Sequence, residues 1–93
     1  MNTTKKIPAF IEKTLSKDEI QYMNENKNFT FTAQNPYTGQ TCQLDTYENL
    51  VYHHVLSLNA LYQNGFYDVA YNLNLARNWF RKNNMNAYFK LID

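Results

Sequence analysis

The sequence predicts a mostly α fold of the α+β kind, in which an antiparallel helical hairpin and short flanking helices are joined to one β-hairpin. Three observations carry this expectation. Apolar residues recur at three- and four-residue spacing through two long stretches of the second half. Two segments of two-residue alternation flank a turn-forming pentapeptide. Gly and Pro, two of each in 93 residues, leave few places for regular structure to break. A chain of this length forms one small domain, 1–93, with a thin core to which nearly every large apolar side chain is committed.

Residues 1–6 are polar and unpatterned and read as a flexible arm. Residues 7–26 hold short helices. Pro8 suits the first residue of one of them, with Ala9, Phe10, Ile11 and Leu15 as its apolar side. Ser16-Lys17-Asp18-Glu19 is a capping box, in which hydroxyl and carboxylate satisfy each other's orphan backbone N–H groups. It opens a second helix from about Lys17 to Glu25, with Ile20 and either Met23 or Asn24 facing inward.

Residues 28–44 form the β-hairpin. Phe29-Thr30-Phe31-Thr32 and Thr41-Cys42-Gln43-Leu44 alternate like half-buried strands, with Cys42 and Leu44 on one face. Between them, Asn35-Pro36-Tyr37-Thr38-Gly39 supplies Asn to start a turn, Pro to fix φ and Gly where φ must be positive. Two strands alone are marginal, so this hairpin must lean on helices.

Residues 45–93 form the helical hairpin and a C-terminal helix. Asp45-Thr46-Tyr47-Glu48 is a second capping box, followed by the stripe Tyr47, Leu50, Val51, His54, Leu58, Leu61 and Tyr62 down to Gly65, a C-terminal αL position. Phe66, Val69, Ala70, Leu73, Ala76 and Phe80 continue the pattern to about Asn83. So short a connection makes the two helices an antiparallel pair. Asn84 caps a last helix, Met85 to Ile92, that returns Tyr88, Leu91 and Ile92 to the core.

Composition excludes several function classes. Nine Lys and Arg against eight Asp and Glu give a net charge of +1, which argues against binding nucleic acid or anionic lipid through overall charge. The single Cys42 allows no intrachain disulfide and no Cys-rich zinc site, and fits a reducing compartment. The apolar run near the N-terminus is too short for a signal-peptide core, and no stretch approaches a membrane span. The expected setting is therefore a reducing compartment, without membrane contact.

No constellation suggests catalysis, a metal or another cofactor. His53 and His54 leave a helix about 100° apart and cannot act as an i, i+4 metal pair. His54, on the apolar stripe, reads as a packed core histidine. Asn35-Pro36-Tyr37-Thr38-Gly39 looks like a sortase sorting signal, but it stands mid-chain before an amphipathic helix, and turn chemistry explains all five residues. The chain is thus expected to be no enzyme.

Binding surfaces remain. Fourteen Asn and eight Tyr suit an adaptable interface, although A/T-rich codons would give the same bias. Tyr22, Tyr37, Tyr52, Tyr67 and Tyr71 fall on or near faces that the stripes leave outward. Asn74, Arg77, Asn78, Arg81 and Lys82 lie opposite the stripe of the second long helix, flanked by Trp79. Tyr67, Tyr71, Arg77, Trp79 and Arg81 are accordingly the candidate partner-binding residues, since aromatic residues and Arg are favoured at interface centres. The same arginines could read base edges in a DNA groove, but the connection at Asn64-Gly65 is tight for a helix-turn-helix crossing.

Asn35-Pro36-Tyr37-Thr38-Gly39, Leu44 before a capped helix, Trp79-Phe80-Arg81-Lys82-Asn83-Asn84, Ala87-Tyr88 and Leu91-Ile92-Asp93 together resemble a group of small uncharacterised proteins of tailed bacteriophages. The resemblance covers about the last sixty residues. It implies a context rather than site residues: a virion or assembly accessory subunit, or an inhibitor of a host protein, located in the host cytoplasm or the virion and working by surface contact. The expected partner is a viral structural protein or a host protein, with self-association as a further option. A small helical DNA-binding or host-defence-inhibiting protein is the alternative.

Overall fold

The computed structural model describes residues 6–92, so most of the expected arm at 1–6 lies outside the described residues. Five helices, α1 (Ala9–Glu12), α2 (Lys17–Glu25), α3 (Thr46–Gln63), α4 (Ala70–Asn83) and α5 (Met85–Leu91), accompany one antiparallel pair, β1 (Thr30–Gln34) and β2 (Thr41–Asp45). The expected mostly α architecture with one β-hairpin is what forms.

Local chemistry sets the boundaries. Pro8 stands one position before α1 rather than inside it. At α2, Glu19 N–H donates to Ser16 Oγ at 3.1 Å and Ser16 N–H donates to Glu19 Oε1 at 2.9 Å. Asp45 and Glu48 repeat this exchange at α3, at 2.8 and 3.0 Å. Glu48 Oε1 also accepts from Asn84 Nδ2 at 3.2 Å, while Asn84 Oδ1 accepts from Ala87 N–H at 3.1 Å. The N-terminal caps of α3 and α5 are thereby tied together. Gly65, with φ 96°, ends α3, and a 3₁₀ turn at Tyr67–Val69 leads into α4. Tyr52 meets Phe80 near one end of the α3–α4 pair and Tyr62 meets Tyr67 at the other, as an antiparallel pair requires.

The hairpin runs in register from Thr30↔Asp45 to Gln34↔Thr41. Its turn is organised by Asn35, which is buried. Asn35 Oδ1 accepts from Tyr37 N–H at 2.8 Å and Thr38 N–H at 3.2 Å, and Nδ2 donates to the Lys90 carbonyl at 3.0 Å. One side chain therefore shapes the turn and fastens it to α5. Gly39 takes the positive φ, 78°, that closes it.

The core gathers Ile11 of α1, Met23 of α2, Leu44 of β2, Val51, Tyr52 and Val55 of α3, Leu73, Ala76 and Phe80 of α4, and Ala87 and Leu91 of α5. Relative to the expected stripe, the buried face of α3 is rotated. Val51 is buried as expected, but Leu50 and Leu58 are half-buried and Leu61 and Tyr62 are exposed. Tyr52, expected outward, is 3% exposed. The β-hairpin causes this: it packs on the Tyr52 side of α3, and Tyr52 Oη donates to the Gln34 carbonyl at 3.4 Å. Ile20 of α2, expected inward, is also exposed.

Candidate interaction surface

An α-helix of 18 residues is about 27 Å long, whereas a small core covers only part of that length. Val55 is the last buried residue of α3, and Leu73 is the first of α4. No residue in 56–72 is buried. Leu58 still packs against the core, so the closed end of the helical hairpin projects roughly 8 Å beyond it, by the helical rise from position 58 to position 63.

This tip is apolar and almost free of charge. Residues 55–76 contain a single charged side chain, Asp68. Phe66, Tyr67 and Tyr71 are 56%, 66% and 73% exposed, and Leu61 and Tyr62 at the end of α3 are exposed as well. The rings of Tyr62 and Tyr67 meet edge to face at 5.1 Å, which holds two of these side chains in a fixed arrangement. At about 200 Å² per aromatic side chain, Tyr62, Phe66, Tyr67 and Tyr71 leave on the order of 450 Å² uncovered. That is within the range of the largest apolar patch on a typical monomer, which is often functional, and over half of one side of an ordinary interface. Depletion of charge with enrichment of aromatic residues is the composition of an interface centre.

The five candidate residues divide into two groups. Tyr67 and Tyr71 belong to the tip. Arg77, Trp79 and Arg81 lie further along α4, where the i, i+4 pair Arg77 and Arg81 shares a face and Trp79 does not join it. Arg77 and Trp79 leave the helix on opposite flanks, about 160° apart. Arg77 Nη2 donates to Tyr88 Oη at 3.4 Å, and Trp79 Nε1 donates to the Lys6 carbonyl, which ties the N-terminal segment to α4. Arg81 is exposed and reaches only its own helix, at Asn78 Oδ1, 3.4 Å away. Leu61, Tyr62 and Phe66 are tip residues that the periodicity assigned to the core. The signal that identifies them is the charge-poor run of 22 residues, together with a helix longer than the core can cover.

Other groups are accounted for by packing. His54 is half-buried, its ring edge to face with Phe10 at 6.3 Å. Burial, and then repulsion from His53, hold its pKa below the usual histidine value. The half-buried Cys42 is a free thiol. Among the described residues no cluster of three or more His, Cys, Asp or Glu is placed to hold a metal, and no helix is long and apolar enough to cross a membrane. No protein-family model, curated protein or solved structure matches this chain.

Proposed function

We propose that this chain is a non-catalytic protein–protein interaction subunit that engages its partner through the tip of the α3–α4 hairpin. One observation carries the reading: residues 56–72 include no buried residue, and their far end projects past the core with three of the most exposed aromatic side chains and only one charge. Folding leaves this surface uncovered, and burying it against a second protein removes apolar area from water at roughly 25 cal/mol per Å². Within this class the proposed role is a virion or assembly accessory subunit of a bacteriophage or mobile element, a context that rests on the sequence resemblance alone. A DNA-binding role has less support, because Trp79 directs its one donor to the Lys6 carbonyl, Arg77 engages Tyr88 through Nη2, and the Arg77 and Arg81 pair stands on a chain of net charge only +1.

Sedimentation of phage-producing cell extracts tests the proposal. The wild-type protein is expected to travel with virions or assembly intermediates, and a Tyr67→Asp, Tyr71→Asp double variant to remain in the soluble fraction while keeping its circular dichroism and melting temperature. Co-sedimentation unaffected by the double variant would overturn the role of the tip. Association with DNA that is lost on changing Arg77 and Arg81 would establish the alternative.

A further inference from the structure

A second surface lies at the other end of α3, away from the hairpin tip. A groove of about 400 Å³ has Thr46, Asn49, Leu50 and His53 of α3 as one side and α2 and β1 as the others. Leu15, Tyr22, Met23 and Phe31 make it mainly apolar. Its charged lining residues are two carboxylates, Asp18 and Glu19, with no Lys or Arg among them. Glu19 directs one oxygen to the Ser16 N–H, and Asp18 is exposed.

Among the described residues, the wall formed by β1 is a strand edge without a partner strand. Asn35 N–H donates to the Gln40 carbonyl at 2.8 Å, which fixes the first hydrogen-bonded pair of the ladder. Such pairs alternate along antiparallel strands. With the observed register, Phe31 and Ala33 bond inward to β2, whereas Thr30, Thr32 and Gln34 direct N–H and C=O outward. The Gln34 carbonyl accepts from Tyr52 Oη, which leaves the open groups at Thr30 and Thr32. Among the described residues no third strand joins the sheet. The other strand, β2, packs against α5, so the exposed edge belongs to β1. Soluble proteins usually protect such an edge with Lys, Pro or a bulge, and Thr-Phe-Thr-Ala-Gln contains no Lys or Pro and pairs without a bulge.

From these features we infer that β1 and the adjoining groove bind an extended peptide segment of a partner by strand addition, the segment carrying alternate apolar side chains and a Lys or Arg. The Thr30 and Thr32 main-chain groups pair with the peptide backbone. Side chains on the Phe31 face of the added strand enter the groove, and the cation meets Asp18 and Glu19. Main-chain pairing supplies affinity and the pocket supplies selectivity, as in other strand-addition sites. At about 3.3 Å per residue, β1 offers pairing length for roughly four or five residues. This site is independent of the hairpin tip and does not rest on the function proposed for it.

The test uses the whole protein and a fluorescein-labelled peptide, acetyl-Lys-Thr-Leu-Thr-Val-Thr-amide, which places Lys, Leu and Val on one face. Fluorescence anisotropy is expected to show saturable binding. Methylating the alternate backbone nitrogens that would face β1 should weaken it by about tenfold or more, because each methyl removes a donor while the side chains stay. Exchanging the peptide Lys for Glu should weaken it several-fold, and Asp18→Lys should reverse that preference. Tyr71→Asp, at the tip, should change nothing. Equal affinity for the methylated and unmethylated peptides would overturn strand addition, and indifference to charge at Asp18 would overturn the cation preference. Self-association of the protein that Thr32→Pro abolishes would assign the edge to a second copy and overturn the proposed occupant.

Discussion

Replacing Asn35 by Ala should destabilise the protein far beyond what one turn residue normally contributes. The side chain makes three hydrogen bonds: two accepted from the Tyr37 and Thr38 N–H groups and one donated to the Lys90 carbonyl. Water can reach the exposed end of the turn, so losing those two bonds costs about 0.5–1 kcal/mol each. The Lys90 carbonyl is left without its donor at a part-buried position, at about 1 kcal/mol more. The total is roughly 2–3 kcal/mol, a large share of the 5–14 kcal/mol expected of a domain this size. In thermal unfolding this corresponds to a fall in Tm of about 10–20 °C. Asn35→Asp separates the two functions, because an ionised carboxylate still accepts from both turn N–H groups and cannot donate to Lys90. The second carboxylate oxygen then faces the Lys90 carbonyl in a buried site, so the variant should recover little or none of the loss at neutral pH. Chemical denaturation that shows Asn35→Ala costing less than about 1 kcal/mol would refute the view that this side chain fastens the β-hairpin to α5.

Two further outcomes follow from burial and charge. Phe80, fully buried against Tyr52, should cost about 3–5 kcal/mol as Phe80→Ala, whereas Leu61→Ala at the tip should cost under about 1 kcal/mol; similar losses in urea unfolding would place the core elsewhere. Because burial lowers the pKa of His54, the unfolded chain binds more protons between the folded value and about 6.5. Stability from this group is complete above that range and is lost as pH falls through it. Urea midpoints measured from pH 7 to pH 5 should therefore decline less in His54→Gln than in wild type, and parallel declines would contradict this.

Much of the fold was legible because its signals are local. Both capping boxes form as the spacing of Ser16 with Glu19 and Asp45 with Glu48 requires, and Gly39 and Gly65 take the positive φ angles their positions imply. The face of α3 that enters the core was not legible in detail. Its sequence is apolar on more than one side, so periodicity gave Leu61 and Tyr62 the same standing as Val51, and only the position of the β-hairpin selects Tyr52 for burial. Tyr67 and Tyr71 could be found because they fall outside every stripe. The groove beside β1 could not, since it depends on where α2 comes to rest, and Met23 is the only residue of that helix buried in the core. Arg77, Trp79 and Arg81 looked like one cluster on a list of positions, but the helical turn between consecutive residues sets Arg77 and Trp79 on opposite flanks.

Site-specific photo-crosslinking tests the central claim most directly. A photoreactive phenylalanine analogue placed at Tyr71, and separately at Phe66, should give a discrete protein adduct when irradiated in phage-producing cells, whereas the same analogue at the exposed Lys13, outside the tip, should give none. An adduct from Lys13 with none from Tyr71 or Phe66 would contradict the assignment of the α3–α4 tip as the contact surface.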